Sequence, residues 1–299
     1  MKTPQQSYIE LNNALGVDVY LKREDEHKYS SHKGRSIPLM IKKYLKEEGV
    51  TNFVISSSGN AAIATIYTVQ AHNKNNEEKI TLQVFVGQNI DKQKLKILNT
   101  IIEDKNISIQ QVDRPKQQAF QMEKENKAKN LRQSTDDTAL LGYIELAEEI
   151  NNIPNLQAVF VPTSSGTTAQ ALGLAFENIL PSKWGGKQNP QIHIVQTTSC
   201  HPIAREFDTN FEITDKSLAS AIVDNVAHRK EKVIEIIKKT NGSGWIVSDQ
   251  ELRNATNLIK ETCKLKISYN SALSIAGLIK AKKNGWNFDG VVVCLITGM

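Results

Sequence analysis

Short apolar runs of strand length alternate along the chain with longer segments whose apolar positions recur every three to four residues. The runs VDVYLK (17–22), TNFVISS (51–57) and KITLQVFVG (79–87) predict strands. The segments IPLMIKKYLKEE (37–48), AAIATIYTVQAHN (61–73) and KQKLKILNTIIED (92–104) predict the helices that follow them. Alternation at this spacing points to a parallel sheet with helices on its faces. Residues 112–137 are polar and predict a loop plus an exposed helix. The pattern then resumes with helix 142–152, strand 156–162, helix 169–179 and strand 191–197. A last block holds helix 229–239, strand 244–248, helix 248–265 with Ser248 as N-cap, helix 271–284 and strand 290–296. No fixed-period repeat is present.

Length and composition narrow the class. With 299 residues, 39% hydrophobic and 23% charged, the chain suits one large domain or two domains sharing a cleft, and it is too apolar for disorder. No apolar run approaches the roughly 20 residues of a bilayer span, and the start MKTPQQSYIE lacks the apolar stretch of a secretory signal. The expectation is a cytoplasmic protein with no membrane partner. The 37 Lys and Arg against 32 Asp and Glu leave +5, and the lysines are scattered over amphipathic segments with few aromatics between them. That is a solvated surface, so no nucleic-acid partner is expected. Cys200, Cys263 and Cys294 form no CxxC pair, which predicts reduced, buried thiols and no metal site.

In a parallel sheet the chemistry gathers at the carboxyl ends of strands. Four loops there are unusual. Ser31-His32-Lys33-Gly34-Arg35 opens a helix after the strand VYLKRED. A lysine at such a place is an ordinary surface cation unless burial and the positive helix end turn it into a carbonyl-reactive amine. Ser56-Ser57-Ser58-Gly59-Asn60 joins strand to helix with small residues and exposed N–H groups that suit a carboxylate, or it is a plain capped turn. Pro162-Thr163-Ser164-Ser165-Gly166-Thr167-Thr168 sets five hydroxyls and a glycine at a helix start, which suits a phosphate. No GxxxxGK[ST] and no GxGxxG occurs, which disfavours a nucleotide loop. The last strand ends in Thr297-Gly298, where a hydroxyl can meet a ligand ring.

Taken in order, these segments resemble the fold type II pyridoxal-phosphate enzymes, and among them threonine synthase. The resemblance runs from Thr3-Pro4 and Lys22-Arg23-Glu24-Asp25 through SHKGR, SSSGNAA and TSSGTTAQALG. It continues through VQTTSCHPIARE, SLASAI, GWIVSDQEL, SALSIAGLIKA and VVVCLITG. It implies an α/β, two-domain, tryptophan synthase β-like fold of mostly parallel sheets flanked by helices. Residues 1–46 and 142–299 would form the large cofactor-binding domain, and residues 47–141 a small mobile domain that closes on substrate over a cleft. The cofactor implied is pyridoxal 5'-phosphate. Lys33 would join it as a Schiff base and then serve as acid or base at the substrate Cα. Asn60 would meet the ring oxygen, Ser57, Ser58, Gly59 and Asn60 the substrate carboxylate, Ser164, Ser165, Gly166, Thr167 and Thr168 the cofactor phosphate, and Thr297 the pyridine nitrogen. A neutral hydroxyl at that nitrogen favours elimination over transamination.

The implied function is a lyase or synthase acting on the side chain of a small amino acid, threonine synthase-like, and the family's habit implies a homodimer. Departures from the pattern bear on the substrate. Gly34 replaces an aspartate, Ser268 replaces the glutamate of a Glu-Pro-Ala-Ser-Ala stretch, and Ala139 aligns with an arginine that holds a substrate phosphate. The chain also stops at Met299, where the family usually continues, implying a less complete pocket wall. A serine/threonine dehydratase or a cysteine-synthase-like replacement enzyme is the enzymatic alternative. A protein that keeps the cofactor without turnover is the alternative of another class. His27, His32 and His201 are expected to pack or hydrogen-bond, Asp136 and Asp137 to cap a helix, and Cys294 to be a buried hydrophobe.

Overall fold

The computed structural model describes residues 2–178 and 189–298. The chain opens with β1 (Gln5–Ser7), α1 (Ile9–Leu15) and β2 (Val19–Arg23). It continues through α2 (Lys33–Glu48), β3 (Asn52–Ser56), α3 (Asn60–Asn75), β4 (Thr81–Gly87), α4 (Lys92–Ile101), β5 (Ile107–Val112), α5 (Pro115–Lys124), β6 (Lys129–Asn130) and α6 (Thr138–Leu141). It ends with α7 (Ile144–Asn151), β7 (Leu156–Pro162), α8 (Thr167–Asn178), β8 (Gln191–Thr197), α9 (Lys230–Lys239), β9 (Gly244–Val247), α10 (Asp249–Cys263), α11 (Tyr269–Lys283) and β10 (Val291–Ile296). Residue 179, the expected end of the helix starting at 169, and Met299 lie outside the described residues. Contacts divide the chain into two units, Lys28–Gly142 and Met1–His27 with Tyr143–Met299.

The unit built from both chain ends carries a six-stranded sheet in the order β1-β2-β10-β7-β8-β9. Only β1 and β2 pair antiparallel. Leu21 of β2 lies beside Cys294 of β10, so the sheet forms only when the first and last strands of the chain meet. Every residue of β10 is buried, as expected of a central parallel strand covered on both faces. Leu21, Phe160, Val195, Val247, Leu252 and Leu273 belong to the apolar core of this unit. A buried polar ring, His193 of β8, is stacked on Phe160 at 4.4 Å and lies 4.8 Å from the Trp286 ring. The Trp245 indole donates to Nδ1 at 3.1 Å, so the ring proton sits on Nε2, 3.0 Å from Gln191 Oε1. Burial pushes the His193 pKa down to about 3, which keeps the ring neutral.

The other unit carries the all-parallel sheet β5-β4-β3-β6. Its core joins Phe53, Ile55, Ile66 and Val84 with Ile37, Met40, Ile41 and Tyr44 of α2. From sequence, residues up to 46 are expected in the large domain. Packing groups α2 instead with the helices and strands that follow it, because its apolar face completes this core.

The polar stretch 112–137 holds more order than expected. Besides α5 it contains β6, whose Asn130 pairs with Val54 of β3. Asp136 accepts the Thr138 N–H at 2.9 Å and the Tyr44 hydroxyl at 2.5 Å, the capping role expected of it, whereas Asp137, the N-cap residue of α6, makes no side-chain cap hydrogen bond. Among the described residues no helix is long and apolar enough to cross a membrane.

Candidate cofactor and substrate site

Lys33 is the first residue of α2. The turn before it is tight: Ser30 takes φ 62, the Gly34 N–H donates to the Ser31 carbonyl at 3.0 Å, and the Arg35 N–H donates to that of His32 at 3.1 Å. Ser31 and His32 are buried and Lys33 half-buried. Two contacts hold this turn in place. A Cβ on Gly142 would lie 2.4 Å from Ser36 Cα, so only glycine lets the chain leaving α6 pass so near, and the Gln133 side-chain amide donates to Ser36 Oγ. Against this pinned backbone, the fully buried Ser31 hydroxyl has no hydrogen-bond partner among the described residues, and no described residue bonds the Lys33 amine. A buried orphan hydroxyl costs free energy unless a further group completes it.

In the same unit β3 delivers Ser57, Ser58 and Gly59 to the start of α3, where Asn60 is the first helical residue. Gly59, the N-cap, supplies no side-chain oxygen, and no acidic residue stands in the first turn. The Gly59 N–H meets Ser57 Oγ at 3.3 Å, and a Cβ at Gly59 would find nothing within 4 Å. The helix start is therefore open on that side, with N–H groups and a positive dipole end available to an anion.

The remaining two loops lie in the other unit. β7 and β10 are parallel neighbours with Phe160 beside Cys294, so the loop after Pro162 and Thr297 leave the sheet at the same end. Thr163 is spent on structure, its hydroxyl donating to the Val161 carbonyl at 2.8 Å. Ser164 Oγ accepts the N–H groups of Val223 and Asp224 at 3.1 and 3.2 Å, which leaves its own hydrogen to donate. Ser165 and Thr167 hydroxyls stand 3.0 Å apart, and Thr167 and Thr168 are buried. Gly166 adopts φ +88, and a Cβ there would come 2.8 Å from Val233 Cγ2, so the bend requires glycine on two counts. α8 begins without an acidic residue in its first turn. Thr297 is buried at the end of β10, followed by Gly298 at φ 136.

The pyridoxal-phosphate dependent enzyme family matches residues 1–298. The chain belongs to that family. Its members use pyridoxal 5'-phosphate, and the two parallel sheets flanked by helices are the α/β fold type II of these enzymes. The chain is similar to a threonine synthase of Bacillus sp. (strain ULM1), 23% identical over 99% of this chain and 82% of that protein. It is also similar to the chloroplastic biosynthetic threonine dehydratase 2 of Solanum lycopersicum, 22% identical over 93% of this chain and 45% of that protein. Maize serine racemase superposes with a TM-score of 0.80 at 15% identity, over 100% of this chain and 88% of that one, which shows the shared fold.

The residues of this family member suit the cofactor chemically: an amine at a helix start, an orphan hydroxyl two residues before it, and a hydroxyl-rich loop at a helix start with no acidic residue in its first turn. Other residues weighed from the sequence settle into structure. His201 Nδ1 lies 3.0 Å from the Thr197 carbonyl and its ring meets Phe211 edge-on, a packing arrangement. Burial raises the Cys294 thiol pKa, so it stays protonated in the core. Ala139 is fully buried in the apolar core of its unit. Ser31 and Ser271 are polar residues that sequence reasoning did not single out. Ser31 sits inside the quoted SHKGR motif, and the Ser-x-x-Ser spacing of 268 and 271 at a helix start is a local signal for a shared cap.

Proposed function

We propose that this enzyme acts on a small amino acid by elimination or replacement at the side chain, in the manner of a threonine synthase or a serine/threonine dehydratase. The observation that carries the reaction class is the end of β10. Thr297 is buried there, and the side chains that hold the following residue are the hydroxyls of Ser268 and Ser271, with no carboxylate in the set. When bound, pyridoxal phosphate supplies the carbonyl that takes up an amino group and a ring that accepts electrons from a broken bond at Cα.

Lys33 would hold the cofactor covalently and, once displaced, carry the α-proton. The open start of α3, with Ser57, Ser58, Gly59 and Asn60, would orient the substrate carboxylate, Asn60 also meeting the ring oxygen. Ser164, Ser165, Gly166, Thr167 and Thr168 would hold the cofactor phosphate at the start of α8, where the helix dipole adds attraction. Thr297 would face the ring nitrogen with a neutral group, which leaves that nitrogen unprotonated and favours loss of a side-chain leaving group over transamination.

Ala139 favours the dehydratase reading over phosphohomoserine chemistry. It is apolar, buried and without charge at the position where the resemblance expects a phosphate-binding arginine. The test is an amino-acid panel on purified protein loaded with pyridoxal phosphate, read by keto-acid release and by the visible spectrum. Keto acid from L-serine or L-threonine supports dehydration, and threonine from O-phosphohomoserine supports the synthase. A loaded protein that gives no product and no spectral change with any amino acid overturns the enzymatic reading in favour of a binding protein.

A further inference from the structure

Three hydrogen bonds converge on one residue at the end of β10. The Ser268 hydroxyl donates to the Gly298 carbonyl at 2.6 Å, and the Ser271 hydroxyl donates to the same oxygen at 2.7 Å. The Gly298 N–H in turn donates to Ser271 Oγ at 3.2 Å. Ser271 is fully buried. Ser268 does a second job, since its Oγ accepts the Ser271 N–H at 3.2 Å as the N-cap of α11. Capping alone asks only for an acceptor; the bond to Gly298 asks for a donor. Gly298 stands at φ 136, a conformation that favours glycine, and it immediately follows Thr297.

Resting on the reading of Thr297 as the ring-nitrogen partner, we propose that Ser268 and Ser271 are positioning residues that clamp the Gly298 backbone and thereby fix the direction of the Thr297 hydroxyl. The substitution of the family's glutamate by Ser268 gains a chemical meaning. An ionised carboxylate at 268 would still cap α11 but has no hydrogen to give the Gly298 carbonyl, so it would repel that oxygen. A hydroxyl does both, and it removes a negative charge from the neighbourhood of the ring nitrogen. The residue that follows Thr297 is thus held by the hydroxyls of Ser268 and Ser271, which would keep the surroundings of a ring nitrogen at Thr297 free of an added charge from position 268.

The experiment compares Ser268→Thr, Ser268→Asp and Ser271→Ala with the parent protein, each loaded with pyridoxal phosphate. Thr297→Asp, loaded in the same way, tests the underlying reading. If it leaves the cofactor's visible band unchanged, that reading fails and takes the proposal with it; if it shifts the band, the serine variants decide the proposal alone. The readout is the pH titration of the bound cofactor's visible band, with thermal melting as a fold control. Ser268→Thr is expected to match the parent. Ser268→Asp, which keeps the cap, is expected to displace the midpoint upward by about one pH unit, the scale of one hydrogen bond with an added nearby charge. Ser271→Ala is expected to displace it in the same direction. A purely structural role for the two serines predicts that Ser271→Ala, which deletes two of the bonds to Gly298 without adding a charge, titrates like the parent, and this result overturns the proposal. Should Ser271→Ala fail to fold, Ser268→Ala, equally uncharged and lacking the other bond to the Gly298 carbonyl, decides in the same way.

Discussion

At the scale of single residues, the proposed reaction class rests on the neutrality of Thr297. Thr297→Asp places a carboxylate where the ring nitrogen is proposed to lie, which stabilises the protonated ring. The visible band of the loaded protein should shift and turnover by elimination should fall at least about tenfold, the scale of 1.4 kcal/mol, while an unchanged spectrum would remove Thr297 from the site. The Gly142 contact is independent of that proposal. With a Cβ 2.4 Å from Ser36 Cα and 2.6 Å from the Arg35 carbonyl, Gly142→Ala must push backbone against backbone. Overpacking of this kind costs about 1–3 kcal/mol. Chemical denaturation checks the loss, and because α2's first turn moves, cofactor affinity measured by fluorescence titration should fall with it. These residues differ in how they could be read. Lys33 stands in a motif whose order along the chain was legible. Ser31 gives no sequence sign of being unpaired, since that depends on what the fold buries around it.

Among the elements, the helices with local signals were legible, as was the edge strand β9 with its buried run GWIV, whereas the edge strands β1, β5 and β6 were not. Ser248 caps α10 as expected, with Glu251 closing a capping box: Ser248 Oγ accepts the Glu251 N–H and Glu251 accepts the Ser248 N–H at 2.8 Å. Ser248→Ala should therefore cost about 1 kcal/mol in a denaturant melt, with no change in cofactor affinity. No loss of stability would contradict the cap. β5 escaped notice for a physical reason. It is the outer strand of its sheet, with the buried and exposed positions of ISIQQV not strictly alternating, so neither an apolar run nor a clean period of two marks it. β1 is an edge strand of three polar residues held by its pairing with β2. β6 has two residues and is defined by its pairing with β3, where Asn130 meets Val54. Pairings between distant segments are not written in local sequence.

On the scale of the whole molecule, the unit that holds Thr297 closes through residues from both ends of the chain, and His193 lies in its core. Its folded pKa of about 3 is below the ordinary histidine value of 6.5, so the unfolded chain binds the proton first. The stability held by the neutral ring is complete above pH 6.5 and is lost as pH falls toward 3, by up to about 1.4 kcal/mol per unit. Replacing His193 with Phe should flatten this dependence between about pH 6.5 and 4, while costing stability at about pH 7.5 because the Trp245 N–H loses its acceptor. Denaturation followed by fluorescence of Trp245 and Trp286, 6.2 and 4.8 Å from the ring, reads both effects, and parallel pH slopes in the two proteins would exclude His193 as the source. The pattern of strands and helices, the fold type and the cofactor were legible in the order of motifs. The grouping of α2 with the second unit was not, because it follows from which apolar face completes which core.

The most direct test of the account is borohydride reduction of the purified, pyridoxal-phosphate-loaded protein followed by peptide mass mapping. The account predicts a single pyridoxyl adduct on the peptide containing Lys33, absent from Lys33→Ala. An adduct on another lysine, or equal labelling of the variant, would contradict it.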